Sequence, residues 1–347
     1  MKRTLSRLCA LLLAGACALA CHPMENYQTE KFKLAASPAA ADGYPAEIYR
    51  GNFLRSDGKS FPVPSGNFLT SGWRGSGTGA VVGEALQPAP DSLEILWFSY
   101  AEDKFYEGHF RLPQQRIHAL LREGYWDQET KKQLTYSDLT VCVLPTGGVV
   151  VWLVGQNKVL IGRFQAQETA FNFWRFNPGA TRQEIVEDER SRLSPAVQQQ
   201  IAAGTLSAKK WDDYLTTYPW QLAFNLPVTL YTYGIDYLNS EGTSYPRTPD
   251  MAAYAQALLA PGPKPVPREL TLFVRAEHGD NHQVRINAFD EAETMAAFQA
   301  LHRLSPASPI TLQVELSKDF KKGSIVLKNE ARASPLRKTP VLLFDED

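Results

Sequence analysis

The sequence predicts an α+β protein: two related antiparallel sheet-plus-helix modules, an internal duplication, with a mixed helical insertion between them. Three observations carry this. Residues 91–125 read as strand, turn, strand and helix. Residues 268–302 repeat that order at an offset of 177 (270 minus 93): Leu93 matches Leu270, Ile95 Leu272, Trp97 Val274, Asp103 Asp280, Leu112 Phe289 and Leu121 Phe298. A proline-rich stretch at 260–267 precedes the second copy and reads as a stiff connector.

In the first module Leu93, Ile95 and Trp97 alternate with Glu94, Leu96 and Phe98, the period of a strand with a partly apolar second face. Residues 101–104 are turn-like, and 105–112 form the paired strand. Pro113 suits a first helical turn, where its missing N–H is not needed. Ile117, Leu120 and Leu121, at i, i+3 and i+4, face a sheet, and Gly124 stops the helix. Runs 139–144 and 149–154 then read as a hairpin, with 159–164 closing the copy. Their counterparts are 310–316 with 324–327, closed by 341–344.

Upstream, Lys2, Arg3 and Arg7 precede an apolar run over 8–20 that is shorter than the about 20 residues a membrane span needs. The pattern predicts a secretory signal over 1–20. Its end, Ala18-Leu19-Ala20-Cys21, resembles the lipobox of bacterial lipoproteins, with Ala18 where Leu is usual. Cys21 is therefore the expected lipid attachment point, and Cys17, after Ala14-Gly15-Ala16, competes with it. Plain cleavage after Ala20, giving a soluble periplasmic product, is the third reading. Cys142 is then the one remaining thiol; inside the apolar run 140–144 it is expected in the core, with no disulfide.

Residues 21–43 are polar and alanine-rich and read as a flexible tether. The first module spans 44–165 and opens with a strand at 44–54. Within it, 59–79 is dominated by Gly, Ser and Pro. The spacing fits neither a phosphate loop nor a dinucleotide loop, so Trp73 and Arg74 are expected as surface partner contacts. The insertion, 166–259, carries helices at 181–193, 195–203, 207–218 and 250–259, with Ser194 and Ser207 as N-caps. Strands are expected at 220–224 and 228–233. Trp220, in an aromatic run that fits core and interface alike, is a further candidate partner contact. The second module occupies 268–347.

The 347 residues suit two modules rather than one minimal core. A formal net charge of −1 argues against a nucleic-acid partner. His278 and His282 flank Gly279-Asp280-Asn281, which reads as a surface turn rather than a metal site. No Gly-x-Ser-x-Gly elbow occurs. The expectation is no enzyme, no cofactor and no metal.

Ser71-Gly72-Trp73, the run 99–106, Leu112-Pro113, the run 148–152 and Phe176-Asn177-Pro178-Gly179 together resemble the bacterial lipoprotein family catalogued as domain-of-unknown-function 2931, from about Tyr44 onward. The resemblance implies a periplasm-facing envelope lipoprotein, and His22 after the lipidated cysteine implies the outer membrane. Some members are encoded near type VI secretion lipase effectors, which implies an immunity protein whose partner is such a hydrolase. It transfers no catalytic residue. A structural or assembly lipoprotein of the envelope is the alternative.

Overall fold

The computed structural model describes residues 27–75 and 86–346. The predicted signal, both candidate lipidation cysteines (Cys17 and Cys21) and residues 76–79 of the glycine-rich loop lie outside them.

Two units thread their strands in one order. The first is built on β1 (Ala35–Ala40), β2 (Ala46–Leu54), β3 (Ser92–Ser99), β4 (Lys104–Arg111), α1 (Gln114–Glu123), β5 (Asp138–Leu144), β6 (Gly148–Val154), β7 (Lys158–Gln165) and β8 (Gln167–Thr169), with short strands Lys31–Phe32, Ser60–Pro62, Phe68–Leu69, Gln87–Pro88, Tyr125–Asp127 and Lys132–Leu134 outside this order. Helices α2 (Phe173–Phe176), α3 (Arg182–Ser191), α4 (Pro195–Ala203) and α5 (Lys209–Tyr214) follow. The second unit comprises β9 (Thr217–Phe224), β10 (Val228–Tyr237), β11 (Gly242–Thr243), α6 (Met251–Leu259), β12 (Gly262–Pro265), β13 (Pro267–Ala276), β14 (Asn281–Ile286), α7 (Glu291–Leu304), β15 (Ile310–Leu316), β16 (Gly323–Lys328), β17 (Ala333–Leu336) and β18 (Leu342–Glu346).

In each unit the first strand runs parallel to the strand after the helix: β1 beside β5, β9 beside β15. Each continues as a meander, β5-β6-β7 and β15-β16-β17. A second meander, β2-β3-β4 or β10-β13-β14, takes a last strand on its edge, β8 or β18. The units join through β11, which bridges β7 and β10 into one nine-stranded sheet, β1-β5-β6-β7-β11-β10-β13-β14-β18. The helices bury equivalent faces: Ile117, His118 and Leu121 of α1 stand 177 positions before Thr294, Met295 and Phe298 of α7.

The offset slips inside the second hairpin. Ser99 faces Lys104 across a four-residue turn, whereas Arg275 faces Asn281 across five. Asp103 at φ 55° closes the first turn, and Gly279 at φ 99° shapes the second. One added residue exchanges the faces of a strand, so Tyr106 and Phe110 point into the first core while Val284 and Ile286 point into the second.

Four expected boundaries move. Ala35–Ala40, placed in the tether, is a buried strand; its small side chains fit beside β5 but give no periodic signal. The second unit begins at Thr217, so the helix expected at 207–218 ends at Tyr214 and the strands assigned to the insertion are the unit's first two. The connector is not a boundary, because Gly262–Pro265 pairs with β9 as an edge strand, where prolines are tolerated. The meander of the second unit closes with Ala333–Leu336, while Leu342–Glu346 pairs with β14.

Strands β5 and β6 read as unbroken apolar runs because both their faces are covered. Leu139, Val141, Val143 and Val151 face the first core, and Cys142, Val150 and Trp152 face the second. On the far side of the first unit, Leu96, Phe98 and Phe105 are covered by Phe171, Phe173 and Phe176. The charged runs are partly structural: Arg182 donates to Asp103 at 2.5 Å and Arg190 to the carbonyl of Ala101 at 2.9 Å, tying α3 to the first hairpin turn.

Candidate functional site

A cleft of about 810 Å³ opens where the first unit, α4, α5 and the second unit meet. Its floor is aromatic. Trp211 and Tyr214, at i and i+3 of α5, point inward, and Trp211 meets Tyr44 edge-on at 5.3 Å. Tyr44 donates to Gln200 Oε1 of α4 at 2.5 Å, and burial raises its pKa. Burial also pushes the Tyr214 phenol up, reinforced by the Glu291 carboxylate beside it.

The rim is charged. Lys210 lies 3.3 Å from Glu291, the first residue of α7, and Lys209 pairs with Asp213 one turn on, at 2.7 Å. Arg74 is 3.9 Å from Glu269, and its side chain is 55 % exposed. Arg268 reaches Glu269 with one amino group and Asp236, at 3.3 Å, with the other. Its Nε is buried and has no partner among the described residues.

Trp73 is the hinge of this site, but not as a surface contact. It is 2 % exposed. Its Nε1 donates to Leu238 O at 2.7 Å, and its ring meets Trp152 edge-on at 4.7 Å. Gly72 turns the chain into that position at φ 80°, where a Cβ would stand 2.1 Å from Asp42 Oδ1, and Asp42 Oδ2 accepts from the backbone N–H of Trp73 at 3.2 Å. Trp220 is likewise corrected: it is fully buried and donates to Pro265 O at 3.0 Å. An indole offers area to a core or to a partner equally, so the sequence cannot separate the two roles. Of the expected contacts, Arg74 stands exposed at the cleft rim, Trp73 lies buried in its lining and Trp220 is absent from it, and Cys21 lies outside the described residues.

His282 is not at a turn tip. It lies inward on β14, stacked on Phe320 at 3.9 Å with Nδ1 3.0 Å from Asp345. Among the described residues no group of His, Cys, Asp or Glu is arranged to hold a metal ion, and no helix is long and apolar enough to cross a membrane.

A second cavity, about 150 Å³, shares Arg74 and Arg268 with the first and adds Lys158, Asp236 and Ser240. Lys158 Nζ donates to Ser240 Oγ at 2.7 Å and lies 4.5 Å from the centre of the Trp152 ring. Burial pulls the lysine down to about 8. None of Asp42, Tyr44, Lys158, Ser240, Arg268 and Glu291 stood out in the sequence. Residues 237–242 have turn composition, but nothing local points to a lysine some eighty positions earlier.

Fold and site define an α+β protein of two sheet-and-helix units with a charged, aromatic-floored cleft on their seam. The chain belongs to the family described as Protein of unknown function (DUF2931), whose profile matches residues 21–206. The match covers the first unit and α2–α4, and ends before α5 and the second unit, a shorter span than the one expected from Tyr44 onward. Neither a curated protein nor a solved structure matches the chain.

Proposed function

We propose that this protein is an envelope lipoprotein, anchored through Cys21, that acts by binding another protein at the seam cleft. The partner is a secreted hydrolase, a type VI lipase effector, which it neutralises at the periplasmic face. The carrying observation is the cleft itself: exposed Arg74, Lys209, Lys210 and Glu291 stand over Trp73, Trp211 and Tyr214. Charged and aromatic side chains around a concave centre are what binding hot spots use, and a stable inhibitory complex buries roughly 1,200–2,000 Å². The shared strand order of the two units supports an origin by internal duplication.

The test is to express a type VI lipase effector in the periplasm, with and without this protein. Rescue of growth by wild type, lost with Arg74→Glu and Lys210→Glu, is the expected result. Both residues are exposed, so their replacement leaves the unfolding midpoint in place. Toxicity unaffected by co-expression removes the immunity reading in favour of a structural or assembly role. A fatty-acid probe should label wild type and not Cys21→Ser; label lost instead with Cys17→Ser moves the anchor.

A further inference from the structure

The smaller seam cavity holds a serine–lysine pair with the geometry of a nucleophile and its base. Ser240 is held at φ 68°, the left-handed region, in the turn from β10 to β11. A non-glycine residue there costs on the order of 1–3 kcal/mol and persists only where its surroundings fix it. They do: Asn239 Nδ2 donates to Glu241 Oε2 at 2.8 Å, Glu241 N donates back to Asn239 Oδ1 at 3.0 Å, and Ser240 N donates to Tyr237 O at 3.1 Å. The result aims Ser240 Oγ at Lys158 Nζ, 2.7 Å away on the other unit.

The neighbouring acids are already engaged. Glu241 Oε1 accepts from Leu160 N at 2.7 Å, and Asp236 meets Arg268. Among the described residues no carboxylate lies within ion-pairing distance of Lys158. A seam that needed only a hydrogen bond would require neither a serine in the left-handed region nor a half-buried lysine with no carboxylate in ion-pairing range among the described residues. We propose that Ser240 is an acyl-accepting nucleophile, with Lys158 as its general base, in a cavity that takes the short acyl group of an ester.

The step balances within the site. Ser240 Oγ bonds to the acyl carbon as its proton passes to neutral Lys158 Nζ, and the carbonyl electron pair moves onto oxygen. Collapse of that adduct expels the alcohol, which takes the proton back from Lys158. Water then repeats the sequence, releasing the carboxylic acid and free Ser240. Arg268, whose Nε is buried and has no partner among the described residues, and Arg74 line the same cavity and supply positive charge for the oxyanion. The about 150 Å³ available limits the acyl group to a few heavy atoms.

The titration of Lys158 is set from all sides. Burial lowers it, Cys142 and Asp138 of β5 and Asp236 of β10 raise it, and Arg74, Arg268 and Glu241 stand on the cavity wall. The experiment treats the full chain with a small fluorophosphonate, followed by intact mass and peptide mapping, and separately with p-nitrophenyl acetate. One phosphonyl adduct on Ser240, absent from Ser240→Ala, is expected. Lys158→Arg keeps a cation but takes up no proton, so labelling and p-nitrophenol release should slow about 10²-fold or more. If Lys158→Arg does not fold, the pH profile of wild-type labelling decides: a rise through about pH 8 supports the pair, and a flat profile overturns it. No adduct on the native protein, or one formed equally fast in folded Lys158→Arg, also overturns it.

Discussion

The indole Nε1 of Trp73 donates to the carbonyl oxygen of Leu238 across 2.7 Å, joining a loop of the first unit to the end of β10 in the second. Trp152 repeats the bond one residue on, to Asn239 O at 3.1 Å. Asn157 then donates to Tyr245 O, and Trp126 N to Pro246 O. The segment 238–247 thus runs as a strap across the first unit, and the seam is polar at its edge and aromatic beneath.

Trp73→Phe keeps most of the buried area but leaves Leu238 O without its donor. A loss of about 1–3 kcal/mol is expected, read from urea unfolding of the full chain. A change within error would mean that the Leu238 carbonyl finds another donor.

Gly72→Ala tests the turn that delivers Trp73. The added methyl meets Asp42 Oδ1 at 2.1 Å on a backbone of φ 80°. Destabilisation above about 1 kcal/mol is expected, with a shift in tryptophan fluorescence as Trp73 leaves Trp152. Wild-type stability would show that the loop accommodates the methyl by moving as a body.

Alkali should unfold the protein through its tyrosines. Burial raises Tyr136 and Tyr233 to about 12 and pushes Tyr100, Tyr106 and Tyr254 up as well. A phenol raised above its unfolded value of about 10 adds stability that is complete below that pH and is lost as pH climbs through the folded values. Lys158 and Lys264, pulled down to about 8, act oppositely: their penalty fades between about pH 8 and 10.4. Unfolding midpoints should therefore peak between about pH 8 and 10 and fall beyond, with phenolate absorbance rising in step with unfolding. Full phenolate absorbance in a still-folded chain would contradict the burial argument.

Cys142 reports on the seam. It is fully buried, and burial drives its thiol well above the ordinary range. In the full chain a thiol reagent should react only as the protein opens. Truncation after Leu206 removes α5 and the second unit, uncovering the face of β5 and β6 that carries Cys142, Val150 and Trp152. Labelling should then accelerate by orders of magnitude; an unchanged rate would place the protection within the first unit alone.

The local elements were legible because their causes are local. Ser194 caps α4 and Pro195 starts it; Thr181 and Glu184 form the capping box of α3; Asp250 caps α6. The period of Leu93, Ile95 and Trp97 marked β3, and the same spacing at Leu270, Leu272 and Val274 marked β13. Side-chain period and capping chemistry act within a few residues of themselves, so these elements follow from the sequence alone.

Tertiary structure decided the rest. Ala35–Ala40 becomes a strand only because β5 offers it a parallel edge one hundred residues away. Trp73 and Trp220 are core rather than surface because Leu238 and Pro265 present carbonyls to their indole nitrogens. Ser240 faces Lys158 because β11 stitches the two units into one sheet. Each is a pairing between distant residues, and its free energy depends on which groups the completed fold desolvates together. The sequence therefore determined the elements and much of their repetition, while burial at the seam determined which side chains meet.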